Sequence, residues 1–292
     1  MGLYAQAVVA GILSGSVYAL MASGLTLVFG VMDIINVAQG ALVVLGAYLS
    51  YVLQQTFNLD LFLGLIITIP VMFVLGVVLE VLFIRPLKRD RTQLSILVTY
   101  AIAIIIEGIL GQVFTNNNVT LTAWYTTKSL HLFNFYLPYI YVFAFLLSCV
   151  LLAALYVMLY RTQFGHSIRA TMQNRVAAQL IGIDVERVAA LTFGVGVALT
   201  AAGGMAFGSI NAFNSGSSYD LISRLLVIII LGGMGSIGGA LVASIFMLVI
   251  EDVIAVSPAG PTWSSTVFFA LLVLVLLFRP QGLFGKLATR AQ

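Results

Sequence analysis

R-T-Q-F-G-H-S-I-R-A-T-M-Q-N-R-V-A-A-Q-L-I-G-I-D-V-E-R, residues Arg161 to Arg187, lies between two apolar runs that are each long enough to cross a bilayer. It carries four arginines, His166, Asp184 and Glu186, so it must lie in water. Ile168, Met172, Val176 and Leu180 recur every four residues. A helix here would show one narrow apolar stripe beside a cationic face bearing Arg169 and Arg175. Such a stripe seeks a groove, either in the headgroup layer of the membrane or on a cytoplasmic partner.

Working outward, 61% of the 292 residues are hydrophobic, 8% are charged and the mean hydropathy is +1.12, which excludes a soluble domain with a polar surface. The composition fits an all-α polytopic membrane protein with about eight hydrophobic segments. The net charge is +3, but 11 of the 13 Lys and Arg fall within 85–91, 161–187 and 279–290. That clustering marks the cytoplasmic loops and places the C-terminus inside; it is not a nucleic-acid footprint. Cys149 is the one cysteine, which leaves no disulfide and no cysteine metal site within the chain. The N-terminus lacks a basic n-region and reads as a first span, not a removed signal peptide.

In chain order, Ala7–Phe29 is a first span carrying Gly11-x-x-x-Gly15, Ser14, Ser16 and Ser23. The small-residue spacing suits either close helix packing or a place in a pathway. A polar break follows, Gly30-Val-Met-Asp33-Ile-Ile-Asn36-Val-Ala-Gln39-Gly40, before the apolar run Ala41–Leu53. Irregular backbone at membrane depth persists only where protein or water surrounds it. Leu61–Ile84 is a span closed by Arg85-Pro86, with Glu80 one turn from its end and within reach of the interface. Leu94–Thr115 crosses back with Glu107 at its middle and no basic residue within a turn, so that carboxylate must face protein, water or a partner, or be protonated.

Residues 116–137 form the longest outer loop, with enough alternation for a short hairpin or a receptor-facing platform; His131 in it has no second His or Cys placed to join it. Pro138–Tyr160 and Val188–Ile210 flank the cytoplasmic stretch. Asn211–Ser223 is expected outside. Leu225–Leu231 then leads into Gly232-Gly-Met-Gly235-Ser236-Ile-Gly238-Gly239, and helix resumes over Ala240–Ile254. With 254–263 also outside, the 224–254 segment is expected to enter the membrane and return, with its glycine turn in the interior. The helix after the turn would then aim its free N–H groups at a substrate carboxylate or a polar amide, unless the turn serves only to let two helices pack closely. A last span ends at Phe278 and Arg279-Pro280. Gly30–Tyr48 and Gly232–Met247 echo one another as glycine-bounded breaks followed by Gly-Ala-Leu-Val.

Ala177-Ala178-x-x-x-Gly182 resembles the loop through which ABC importer permeases engage their ATPases, with Val176 where a Glu is usual. The longer pattern from Arg169 to Phe193, R-A-T-x-x-N-x-x-A-A-x-L-x-G-I-x-x-x-R-V-x-A-L-T-F, resembles the branched-chain amino acid permeases of the H type. Three further segments carry the same resemblance: the break around Asn36, where Gln39 replaces a common His; the Gly232–Gly239 turn; and the L-L-x-x-P-x-G-L-x-G pattern from Leu276 to Gly285. Glu107 stands where that family usually has Gln.

The resemblance implies a multi-pass permease of the bacterial inner membrane, a single domain over 1–292 whose 161–187 loop couples to the ATPases. Its implied partners are a second homologous permease, two cytoplasmic ATPase subunits that bind the ATP and an extracytoplasmic substrate-binding protein. No cofactor or metal is implied in this chain. Arg169, Met172, Val176, Ala177, Ala178 and Gly182 would form the coupling surface; Ser14, Asn36, Gln39, Glu107, Gly235, Ser236 and Gly238 are candidates for the substrate pathway. Members carry Leu, Ile and Val, other amino acids, urea or short amides, or aromatic acids. No G-x-x-x-x-G-K-[ST] cradle is present, and neither histidine is paired with a nucleophile, which argues against an ATPase or a hydrolase. The competing reading is an ion-driven carrier or channel using Glu107, which would have no need of a docking helix.

Overall fold

The computed structural model describes residues 2–87, 90–115, 117–123, 125–126, 128–132, 135–258, 260–279 and 281–284. Lys88, Arg89, Pro280, Gly285, Lys286 and Arg290 lie outside the described residues, as does the side chain of His131. The chain runs through α1 (Gly2–Met32), α2 (Gln39–Phe57) and α3 (Leu61–Leu79), the last prolonged by a π-helical turn over Glu80–Ile84. It continues through α4 (Arg91–Phe114), a hairpin of β1 (Ser129–Leu132) and β2 (Phe135–Pro138), α5 (Tyr139–Arg161), α6 (Gln163–Gln173) and α7 (Arg175–Leu180). It ends with α8 (Val185–Ile210), α9 (Ser218–Gly232), α10 (Ile237–Ala255) and α11 (Gly260–Phe278). Among the described residues eight helical stretches are long and apolar enough to cross a membrane, and α11 adds a shorter apolar helix.

Two contacts orient the bundle. Gln6 near the start of α1 donates to the Tyr136 carbonyl of the hairpin (3.1 Å), whereas Gly30 near its end abuts Met172 of α6. The hairpin and the basic α6–α7 segment therefore mark opposite ends. At 31 residues α1 is about 46 Å long, enough to join them.

α1 and α8 form the buried centre, and both are rich in small residues because other helices must press directly on their backbones. A Cβ on Gly11 would lie 2.6 Å from the Val249 Cα, and one on Gly15 2.8 Å from that of Ile245. The Gly11-x-x-x-Gly15 spacing thus serves close packing of α10 on α1. α1 crosses α8 where Gly24 meets Gly196. α1 packs on α10 as α3 packs on α8; α1 runs from the hairpin end to the α6–α7 end, whereas α8 begins beside α7 and runs back to the outer loop at Leu121. This relates α1–α3 to α8–α10 as inverted triplets.

That relation corrects the echo read in the sequence. The break before α2 corresponds to the break before α9, not to the Gly232–Gly239 turn. The turn corresponds to the 58–60 link between α2 and α3, at the opposite end. It also corrects the depth of the turn. Gly235 faces the Gly30 Cα, and the Leu283 N–H donates to the Leu231 carbonyl (2.7 Å), so the turn lies at the α6–α7 end and not in the interior. From that end α10 runs back through about 28 Å, long enough for a full crossing.

Two helices do begin inside the bundle. α2 starts after the non-helical 33–38, which climbs along α4: Thr92 Oγ1 donates to the Asp33 carbonyl (3.3 Å) and the Val37 N–H donates to Thr99 Oγ1 (3.1 Å). α9 starts after 211–217, which descends from the other side. The two N-termini meet where Gly40 presses on Ser218 and Ile222. Glu80 does not reach the interface; it is buried, with Arg91 at 4.0 Å. At the hairpin end Tyr48 stacks on Phe114 (4.3 Å between centroids) and takes Phe213 edge-on (5.0 Å). Burial and the Asp60 carboxylate, which accepts from its hydroxyl (3.3 Å), push the Tyr125 phenol above its usual range.

Candidate functional site

The single helix expected over the quoted stretch is two helices. Thr162 caps α6, accepting from the Gly165 N–H (3.0 Å), and Ile168 and Met172 turn inward onto the bundle. Asn174 then breaks the helix, because its side-chain oxygen accepts from the N–H groups of Val176 and Ala177 (3.0 Å each) and so begins α7 in a new direction. The apolar stripe is divided accordingly. Its first half is core, whereas Val176 (65% exposed), Leu180 (83%) and the adjacent Ile181 (74%) stand out in water.

The turn beneath is tight. Gly182 has φ +89° with open space around it, and the Ile183 N–H donates to the Ala178 carbonyl (3.0 Å). Ala178 itself is 2% exposed, so it shapes this turn and leaves surface contact to its neighbours. Arg169 lies over the Tyr160 ring (4.7 Å) and against His166. Three exposed aliphatic side chains on a capped projection among arginines form an apolar knob, a candidate docking surface.

The candidate pathway residues do not form one site. Asn36 and Gln39 are fully buried at the start of α2: Asn36 Nδ2 donates to Gln39 Oε1 (3.0 Å), and Gln39 Nε2 donates to Thr200 of α8. Asn36 Oδ1 has no partner there. Glu107 lines a separate cavity of about 430 Å³ with Gln112, Ser215 and Tyr219. Ser218 donates to it (3.4 Å) and the Tyr219 hydroxyl lies beside it. The positive N-terminal end of α9 thus replaces the basic residue that the sequence lacks nearby. Gly235, Ser236 and Gly238 are remote from all of these, at the α6–α7 end, where Ser236 caps α10 by accepting from the Gly239 N–H (3.1 Å).

Ser14 belongs to a third place, one whose charged residues the sequence reading passed over. A cavity of about 370 Å³ between α1, α5, α8, α9 and α10 contains Asp220, Arg224, Glu251 and Asp252 with Ser14 and Tyr18. Arg224 donates to both oxygens of Glu251 (2.7 and 2.6 Å) and to Asp220 (2.8 Å), and its guanidinium faces the Phe268 ring at 5.4 Å. The signal was available: charges inside crossing helices are costly and need a reason. It was hidden because Arg224 reads as the edge of an outer loop, and Glu251-Asp252 as the frayed end of an apolar helix.

The family model described as "Branched-chain amino acid transport system / permease component" matches residues 7–276. The chain is 26% identical over 296 residues to the high-affinity branched-chain amino acid transport system permease protein BraD of Pseudomonas aeruginosa, covering 97% of this chain and 96% of that protein. It is 26% identical over 289 residues to LivH of Escherichia coli K12, with 94% of each covered. It is 27% identical over 127 residues to LivM of the same organism, covering 43% of this chain and 29% of that protein. No solved structure matches it.

Proposed function

Because this chain belongs to the branched-chain amino acid transport system permease family, whose model matches residues 7–276, we propose that it is the membrane-spanning permease subunit of an ATP-driven importer. It forms half of the path for branched-chain amino acids. The other half comes from a second permease, in keeping with its likeness to LivH over nearly the whole chain and to LivM over part of it. The α6–α7 end, which bears most of the basic residues, faces the cytoplasm and places the C-terminus there, and the hairpin end meets a substrate-binding protein. The chain hydrolyses nothing itself; two ATPase subunits bind the ATP and push on α7.

The observation that carries this reading is the knob of Val176, Leu180 and Ile181, which a carrier working alone would leave as unused apolar surface in water. The test is reconstitution in liposomes with the second permease, the ATPases and the receptor. L-leucine uptake should require ATP and all subunits. Uptake by this chain without ATPases, driven by an ion gradient, would establish the carrier reading with Glu107 as its coupling group.

A further inference from the structure

We propose that the Arg224 cavity is a binding station for the ammonium group of an aliphatic amino acid, with the Asp252 carboxylate as its main acceptor and the Tyr18 hydroxyl oxygen as a second acceptor. The proposal rests on the permease reading for the choice of substrate, and on the cavity alone for its chemistry.

Three carboxylates and one guanidinium face this space, leaving an excess of two negative charges when all are ionised. Arg224 is fully engaged by Asp220 and Glu251. It cannot turn to a substrate carboxylate without exposing Glu251 unpaired in the bundle, which is costly. Asp252 stands outside both ion pairs: its one side-chain hydrogen-bond partner among the described residues is the Ser14 hydroxyl, which also donates to the Ala10 carbonyl (2.9 Å), so no cation among those residues faces it but Arg224. Tyr18 is 7% exposed; its ring edge meets Phe207 (6.3 Å), and its hydroxyl opens into the cavity with no hydrogen bond among the described residues. A hydroxyl carried by a buried ring and open to a cavity, with no protein hydrogen bond, is free to accept from a group bound there.

The remaining wall is apolar: Tyr141, Phe207, Ile210 and Leu248. Among the described residues no three of His, Cys, Asp and Glu converge closely enough to hold a metal ion. The carboxylate of Asp252, which has no salt-bridge partner among the described residues, therefore suits a larger cation with a hydrocarbon body. The cavity mouth, at Asn211 and Ala212, opens toward the hairpin end, where substrate enters.

The test uses the assembled transporter with Cys149→Ala and a single thiol placed at the mouth by Ala212→Cys. Alkylation by a maleimide is timed with three probes: L-leucine; 3-methylbutylamine, which keeps the ammonium and lacks the carboxylate; and 4-methylpentanoate, which keeps the carboxylate and lacks the ammonium. Leucine and the amine should slow labelling, and 4-methylpentanoate should not. Asp252→Asn should raise the concentration needed for half protection about tenfold, Tyr18→Phe by about threefold, and Asp252→Glu should recover most of the loss.

Equal protection by 4-methylpentanoate and the amine, protection unchanged in Asp252→Asn, or no protection by any probe would each overturn the proposal. Should Asp252→Asn fail to assemble, the three-probe comparison and Tyr18→Phe still decide it. ATP-driven uptake is read separately on the unaltered complex, so failure of the importer reading and failure of this site give different results.

Discussion

Glu107 shows how one residue in this bundle is made tolerable. Its carboxylate has Ser218, Tyr219 and the first turn of α9 in place of a cation. A neutral amide can accept from the same hydroxyl, so Glu107→Gln should leave assembly intact and uptake within about threefold. Glu107→Leu, which abandons Ser218 and the helix end, should cost about 1–3 kcal/mol of stability, read by thermal unfolding in detergent. Gly182 is constrained differently: space is open around it, and only its φ of +89° excludes a side chain. Gly182→Leu should therefore strain the turn by about 1–2 kcal/mol, lowering substrate-stimulated ATP hydrolysis without loss of the folded bundle.

At the level of elements, α7 is a platform for its own exposed face. Val176→Asp with Leu180→Asp changes no buried contact and should abolish co-purification with the ATPases while the permease stays folded. Ala178→Arg is a poorer probe, since burial makes it disrupt the turn itself. α9 and α10 are tied by Arg224 and Glu251. Arg224→Met, which strands Glu251, should lower stability by about 3–5 kcal/mol, and adding Glu251→Leu should recover much of it. The breaks at 30–40 and 232–239 were legible because polar or glycine-rich sequence stands out between apolar runs. Their depths were not, since a turn of glycines reads alike at a surface and at midplane. The interior start of α9 was illegible for a related reason: Asn211–Ser217 has the composition of a surface loop, and only its packing on α2 and α4 reveals that it descends.

For the whole molecule, the alternation of crossings predicts a labelling pattern. In a Cys149→Ala background, Lys128→Cys should react with an impermeant thiol reagent added outside intact cells, and Arg175→Cys should not; the reverse would invert the topology. The buried centre has a consequence for biogenesis. α1 is synthesised first, yet the helix that fills its Gly11–Gly15 groove is α10, which emerges from the ribosome more than 200 residues later. Until then α1 waits in the lipid as a ridge of small residues with no partner, and α3 likewise waits for α8. Quality control must therefore tolerate an unfinished first half for most of translation. A chain stopped after residue 184 should be degraded by membrane proteases, and separate expression of 185–292 should rescue it, because the two halves complete each other's interior.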